Sequence, residues 1–363
     1  VFDSTELITL SRIAGERFDL VQAGGGNSSV KREDGTIYVK ASGLQLGDVQ
    51  KETDFCCLDW RPLLKFVQDW QGELNSRQLE SVANEVTNSA IQGQGIRPSI
   101  EVLMHCIFGP FTLHTHPIVA NIVSCRQNWK DVLKAWFPSA ICVDYVTPGA
   151  PLAIAISKEI AKSGWEPGFP AIVFLGNHGL IVSAGSVQEV MSLTDEVVLT
   201  IEKELSLDFS RYRLTNFISA AVDAATGKRP IVFISEDGVL RETLANNENA
   251  FGTGPVVPDQ LVYCGPKCLH LKTSNIEEAS KAIKQFMEEF GMPPYVVIAE
   301  SGSKKHLFTV GKSIRKCREV EDVLKSHVQI LNNQSSSYPL QFLKAEELAY
   351  LSNWDAEKYR KNL

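Results

Sequence analysis

His114 and His116, in Leu113-His114-Thr115-His116-Pro117, are the residues of this sequence best placed to do chemistry. On a strand, alternate side chains share a face, so the two imidazoles project side by side while Thr115 turns away. Two imidazoles one pleat apart can grip a single metal ion. Glu101 lies a short helix upstream, and His178 lies far downstream in Gly176-Asn177-His178-Gly179. Three imidazoles and a carboxylate suit Zn²⁺ or another divalent transition metal, because a displaceable oxygen beside three nitrogens leaves a tetrahedral site that can open. A His-x-His pair by itself is more often two half-buried polar side chains than a metal site. The balance shifts because three of only seven histidines fall at these two places.

Glycines, small hydroxyls and an amide gather at a second place, in Gly24-Gly25-Gly26-Asn27-Ser28-Ser29 and again in Lys40-Ala41-Ser42-Gly43. Glycine lets the backbone approach an anion closely, and exposed N–H groups with Ser and Asn donors make a neutral cradle for phosphate. A plain glycine-rich connection is the alternative. Neither stretch has the G-x-G-x-x-G spacing of a dinucleotide site. Gly311-Lys312-Ser313 is no P-loop, because the first glycine that motif requires falls on His306.

The elements that must position these groups can be read from periodicity and turn signals. Residues 3–15 read as a helix with a capping box of Asp3 and Glu6. Strands are expected over 27–32 and 36–40, joined at Asp34-Gly35, a favoured hairpin turn. Helices follow over 58–70 and 78–91, stopped by Gly93 and Gly95, and a short one capped by Ser99. On that short helix Glu101 and His105 share a face, with His105 read as a satisfied core histidine. The His pair reads as a strand edge, followed by helix at 117–124, strand at 142–146 and helix at 151–163. Strands at 171–175 and 180–183 and a long amphipathic helix at 186–205 complete the first part. Hairpins interrupt any regular βαβ alternation, so this is an α/β layer structure with a mixed or antiparallel sheet.

The character changes beyond about Asp208. Strands are expected at 231–235, 260–263, 295–300 and 306–310, and helices at 277–290, 312–331 and 344–361. Residues 246–258, rich in Asn, Gly and Pro, read as a loop. The domain division is therefore 1–207, carrying the candidate chemistry, and 208–363, a smaller α/β region of no evident role.

Composition bounds the function. The chain has 363 residues, 44% of them hydrophobic and 22% charged, as in a soluble globular protein with a real core. No apolar run approaches the roughly 20 residues of a bilayer span. Nor does the N-terminal VFDSTELITL have the basic-then-apolar order of a signal peptide. With no initiating Met, residues are expected ahead of Val1. A net charge of −7 argues against nucleic acid as a partner. The eight cysteines are scattered, with Cys56-Cys57 adjacent and no second pair for Cys264 and Cys268, which suits a reduced, cytoplasmic protein.

GGGNSSVK, KASG, PSIE, LHTHP, DYVTPG and NHGL occur in the order and at about the spacings of the class II aldolase/adducin family, which the chain resembles from Leu7 to about Leu205. Within it, GGGNSSVK, the Tyr145-x-x-Pro148-Gly149 form and the ending Asn353-Trp354-Asp355-Ala356-Glu357 look most like the aldolase half of bifunctional rhamnulose-1-phosphate aldolase/alcohol dehydrogenase proteins. The resemblance implies a three-layer fold with a central mixed or antiparallel sheet flanked by helices. It implies that His114, His116 and His178 hold Zn²⁺, with Glu101 as acid/base and exchangeable metal ligand. Asn27, Ser42, Gly43 and Ser99 match phosphate-binding positions, beside Gly26, and Tyr145 matches a tyrosine that assists protonation. Ile100 departs from the pattern, standing where a hydroxyl residue usually contributes to the phosphate. The implied reaction cleaves a ketose 1-phosphate, L-rhamnulose 1-phosphate first, to dihydroxyacetone phosphate and an aldehyde through a Zn-stabilised enediolate. The implied assembly is a cyclic tetramer with sites between subunits. A pentulose-phosphate 4-epimerase would share every motif, whereas non-catalytic, adducin-like members keep the fold and lose the histidines.

Overall fold

The computed structural model describes residues 3–347 apart from 73–74, 94–95, 167–169, 336, 338 and 345. Gly95 and nearly all of the helix expected over 344–361 lie outside the described residues. The chain forms two compact units, Val1–Asp208 and Phe209–Leu363, each built on its own sheet.

The first unit begins with α1 (Thr5–Gly15), β1 (Asn27–Lys31), β2 (Thr36–Lys40) and β3 (Phe55–Asp59). Next come α2 (Trp60–Asp69), α3 (Ser76–Ala90), α4 (Val102–His105), β4 (Phe111–Thr115), α5 (Ile118–Ser124) and α6 (Trp129–Trp136). The unit ends with β5 (Ile141–Val143), α7 (Ala150–Ser163), β6 (Ala171–Leu175), β7 (Gly179–Ala184) and α8 (Val187–Leu205). Its sheet has the order β3-β2-β1-β4-β7-β6-β5, antiparallel throughout except for the parallel β5–β6 pair. The result is the mixed sheet flanked by helices that the sequence implies.

Three local expectations are corrected. β4 is the middle strand of seven rather than an edge. Both it and β7 are buried at every position, as strands covered by helices on both faces must be. Phe55–Asp59 is a strand, where the expected helix begins at 58; Asp59 ends it and caps α2, its carboxylate accepting from the Arg61 N–H. At the N-terminus Ser4, not Asp3, is the cap residue of α1, and the Asp3 carboxylate accepts from the Thr5 N–H instead.

One face of the sheet, with Ile37, Val39, Leu58, Val173 and Ile181, packs with Leu63, Leu103, Phe108 and Ile156 from α2, the region of α4, and α7. α1, α5 and α8 cover the other face. Burying each such aliphatic side chain contributes about 1.5–3 kcal/mol, and that apolar sandwich holds the central strands in place.

The second unit contains α9 (Ser210–Thr226), β8 (Ile231–Ser235), α10 (Gly238–Asn246), α11 (Pro258–Cys264) and β9 (Leu269–Leu271). It continues with α12 (Ile276–Phe290), β10 (Val296–Ser301), β11 (Lys304–Gly311) and α13 (Ile314–Asn332). The sheet order is β8-β11-β10-β9, with α9 and α12 on one face and α10, α11 and α13 on the other. The strand expected at 260–263 is helical: Pro258 stands in the first turn of α11, where its missing N–H costs nothing. Within the expected loop 246–258 lies a short 3-10 helix, Glu248–Gly252. Among the described residues no helix is long and apolar enough to cross a membrane.

Candidate metal centre

β4 runs between β1 and β7, so His114 has Asn27 on one side and Ile181 on the other. His116 lies just past the strand end. Its N–H donates to Leu20 O at 2.9 Å, and the Ile118 N–H donates to Asp19 O at 2.9 Å. That segment is fixed by Arg17, whose guanidinium forks onto Asp19 at 3.0 and 2.6 Å and reaches Asp195 of α8 at 2.5 Å. Arg17 and Asp19 are both 1% exposed, so the paired charges are what let this turn be buried at all.

His178 is the last residue of the turn between β6 and β7. Asn177 takes a left-handed backbone, φ 51°, which Asn tolerates better than most residues. α5 grips the turn at two points: the Asn121 side-chain amide donates to His178 O at 3.1 Å, and the Asn177 N–H donates to Ser124 O at 3.3 Å. Gly179 then lets β7 close onto the histidine strand. A Cβ there would lie 2.3 Å from Thr115 O and 2.9 Å from His116 Cδ2. Backbone cannot swing aside as a side chain can, so Gly179→Ala is expected to cost about 3 kcal/mol and to displace the turn. Thermal unfolding with metal analysis checks this; an unchanged midpoint with full metal content would refute the close approach.

The three imidazoles meet. Their ring centroids are 4.9, 4.9 and 5.1 Å apart, and one ligand nitrogen from each lies within 4.8 Å of the others. His114 Nδ1 sits 3.0 Å from Leu180 O and so carries the proton, which leaves Nε2 bare and 3.1 Å from His116 Nε2. Glu101 Oε1 is 3.5 Å from Nε2 of both His114 and His178. Nitrogens bound at about 2.0–2.1 Å to one tetrahedral ion are roughly 3.4 Å apart. The three imidazoles fit a divalent metal, and the Glu101 carboxylate lies beside two of them.

Electrostatics agree. Burial pushes the His114 imidazole down against the pull of Glu101, and pushes His116 down to about 4, with His114 and His178 adding to the effect. Both are neutral near pH 7, the form that ligates metal. Burial pushes the Glu101 carboxyl up, but His114 and His178 overcome it and hold the group down at about 2. Glu101 is therefore ionised near pH 7, the form that can face a cation.

The remaining expected residues divide. Asn27 is fully buried beside His114; its Oδ1 accepts from the Ser28 N–H while its Nδ2 has no partner among the described residues. Gly26 precedes it, with backbone so near His114 O that a Cβ would lie 3.0 Å away. Ser42 and Gly43 follow β2 in an exposed loop, joined to the Glu101 segment by the Ser42 N–H to Arg97 O bond of 3.0 Å and by the Ala41–Pro98 bridge. Ser99 is on that segment, its Oγ accepting from the Glu101 N–H at 3.3 Å. Tyr145, 60% exposed after β5, takes no part in the ring contacts that join the imidazoles.

Two residues at the centre are assigned no role from the sequence. Lys40 is 3% exposed, and its ammonium donates to Ala41 O at 3.0 Å and Leu44 O at 2.6 Å, the two carbonyls that bracket Ser42-Gly43. Burial pushes it down while Glu101 pulls the other way. A lysine at the end of an apolar strand was the available clue. His105 is fully buried with Nδ1 2.7 Å from Ser29 Oγ, but its Nε2 has no partner among the described residues, so it is only half satisfied.

The family model described as Class II Aldolase and Adducin N-terminal domain matches residues 5–204. Among solved structures, the N-terminal class II aldolase domain of a conserved protein from Thermoplasma acidophilum is 21% identical over 56% of this chain and 94% of that one, with a TM-score of 0.48. A structure described as L-fuculose 1-phosphate aldolase is 20% identical over 58% and 92%, with a TM-score of 0.39. A sugar-phosphate aldolase from Thermotoga maritima is 15% identical over 56% and 94%, with a TM-score of 0.40. No curated protein matches the chain. The family match spans more than half of the chain and encloses the three histidines and Glu101, so the chain belongs to the class II aldolase and adducin family, as an aldolase-type lyase.

Proposed function

We propose that the chain cleaves the C3–C4 bond of L-rhamnulose 1-phosphate, giving dihydroxyacetone phosphate and L-lactaldehyde reversibly. The observation that carries this reading is Glu101 Oε1 standing 3.5 Å from Nε2 of both His114 and His178, with its side chain 14% exposed. His114, His116 and His178 would hold the cation, zinc in this reading. The ion supplies Lewis-acid stabilisation of the negative charge that cleavage leaves on the three-carbon fragment. Glu101, beside the imidazoles, carries the proton to and from the carbon. Gly26, Asn27, Ser42, Gly43 and Ser99 take the phosphate, a role supported by the unpartnered Asn27 Nδ2. Ile100, 58% exposed, adds no donor to them. Tyr145 assists proton transfer at the C4 oxygen, which gives up its proton as the aldehyde forms and regains it when the bond is remade. The reading extends to a cytoplasmic enzyme and to a cyclic tetramer, in which the exposed Ile100 and Tyr145 meet a neighbouring subunit.

Lys40 serves this site by holding the Ser42-Gly43 loop. Lys40→Met leaves two carbonyls without their donor, and is expected to raise KM for the phosphorylated sugar about tenfold while kcat changes less. Steady-state kinetics decide; an unchanged KM would detach Lys40 from phosphate binding.

The reaction is tested by supplying L-rhamnulose 1-phosphate, L-fuculose 1-phosphate and ribulose 5-phosphate to metal-loaded protein and assaying dihydroxyacetone phosphate. Fastest release from the first supports the proposal, and fastest release from the second changes the sugar. No release, with ribulose 5-phosphate inverted at C4, decides for an epimerase on the same site.

A further inference from the structure

The second unit has a cleft of about 600 Å³ where β8 ends and β11 begins, a size that suits a small-molecule ligand. Its floor is apolar, from Ile234, Leu244 and Leu307. Its walls are not. Arg211, Arg241, Lys304 and Lys305 line it against only two carboxylates, Glu236 and Glu248, so four positive charges face two negative ones on a chain whose net charge is −7.

The pairing inside the cleft sharpens this excess. Arg211 Nε donates to Glu236 Oε1 at 3.2 Å, and the Lys305 ammonium pairs with Glu248. Both acids are thereby engaged, and neither Arg241 nor Lys304 has a carboxylate partner among the described residues. Arg241 lies in the first turn of α10, where the helix dipole is already positive and a cation is disfavoured. Lys304 opens β11 directly after the two-residue turn Gly302-Ser303, so it is held on a tight hairpin rather than a loose loop. Half-buried His306 registers the field: burial pushes its imidazole down, and Arg211, Lys304 and Arg241 push the same way against Glu236. The start of α10 itself is closed, since Asp237 accepts from the Val239 and Leu240 N–H groups. An anion here must be held by side chains.

We propose that this cleft is a second ligand site that takes a phosphate-bearing small molecule, its phosphate between Arg241 and Lys304 and its apolar part on Ile234, Leu244 and Leu307. Guanidinium and ammonium donors to phosphate oxygens are charge-assisted and short, and the apolar floor distinguishes an organic phosphate from the free ion. Two sources share this chemistry, a nucleotide and a sugar phosphate.

The test is lysine acetylation footprinting of the full, metal-loaded chain, read by mass spectrometry at Lys304, with exposed Lys281 as the reference. Inorganic phosphate, ATP and ribose 5-phosphate are the probes. Saturable slowing of acetylation at Lys304 but not Lys281 is expected. Greater potency of ATP assigns a nucleotide, and greater potency of ribose 5-phosphate assigns a sugar phosphate. Arg241→Ala should raise the half-protecting concentration about tenfold, and Arg241→Lys should restore much of it. Unprotected Lys304 with all three probes, or equal protection in Arg241→Ala, would overturn the proposal.

Discussion

Glu101→Gln is expected to retain its metal and to lose about 10²–10⁴-fold in kcat, the span that one positioned acid/base supplies. Gln keeps the shape of the side chain and an oxygen that can face the ion, but it cannot take up a proton. The three imidazoles, which come together without Glu101, should still hold the ion, and Glu101 stands 3.5 Å from two of them. Metal analysis by mass spectrometry and steady-state kinetics on the same preparation separate the two roles. Full turnover would remove Glu101 from proton transfer, and loss of metal would make it an anchoring ligand. Loss of kcat with KM nearly unchanged is the signature of an interaction made in the transition state.

His178→Ala should abolish both metal and turnover, the latter by about 10³-fold or more, since Lewis-acid stabilisation is worth several kcal/mol at the transition state. His178 is the informative choice of the three. His114 is fully buried with Nδ1 bonded to Leu180 O, so its loss would leave a cavity and an orphaned carbonyl in a central strand. His178 is carried on a turn whose backbone is held separately by Asn121, and its Nδ1 has no partner to lose among the described residues. The variant should therefore fold, with an unchanged far-ultraviolet circular dichroism spectrum, and elute free of metal. A stoichiometric ion in His178→Ala would break the three-imidazole assignment.

Local signals proved legible where the chemistry of one short segment decides the outcome. The Asp34-Gly35 turn between the two expected strands is seen as the β1–β2 hairpin, with Gly35 at φ 97°. Continuous apolar runs became β6 and β7, and amphipathic stretches became α7, α8, α12 and α13. Two of the failures share a cause. Phe55–Asp59 and Pro258–Cys264 are apolar runs too short for periodicity to tell strand from helix, and their partners settled the matter. β3 pairs with β2 through Thr36–Asp59 to Lys40–Phe55, whereas α11 packs its apolar side with α13.

The residue types and their spacing determined by themselves that His114 and His116 share a face, that His178 lies in a turn, and that a carboxylate precedes them by one short helix. Those are properties of a strand pleat, a glycine-flanked turn and a helix start, each set within a few residues. Tertiary structure alone decided that β4 is central, that α5 clamps the His178 turn, and that the Ser42-Gly43 loop is joined to the Glu101 segment and held by Lys40. It alone decided the cationic cleft, whose Arg211, Arg241 and Lys304 come from three distant stretches. Contacts between segments tens of residues apart depend on sheet order and layer packing, and no local pattern of side chains encodes those.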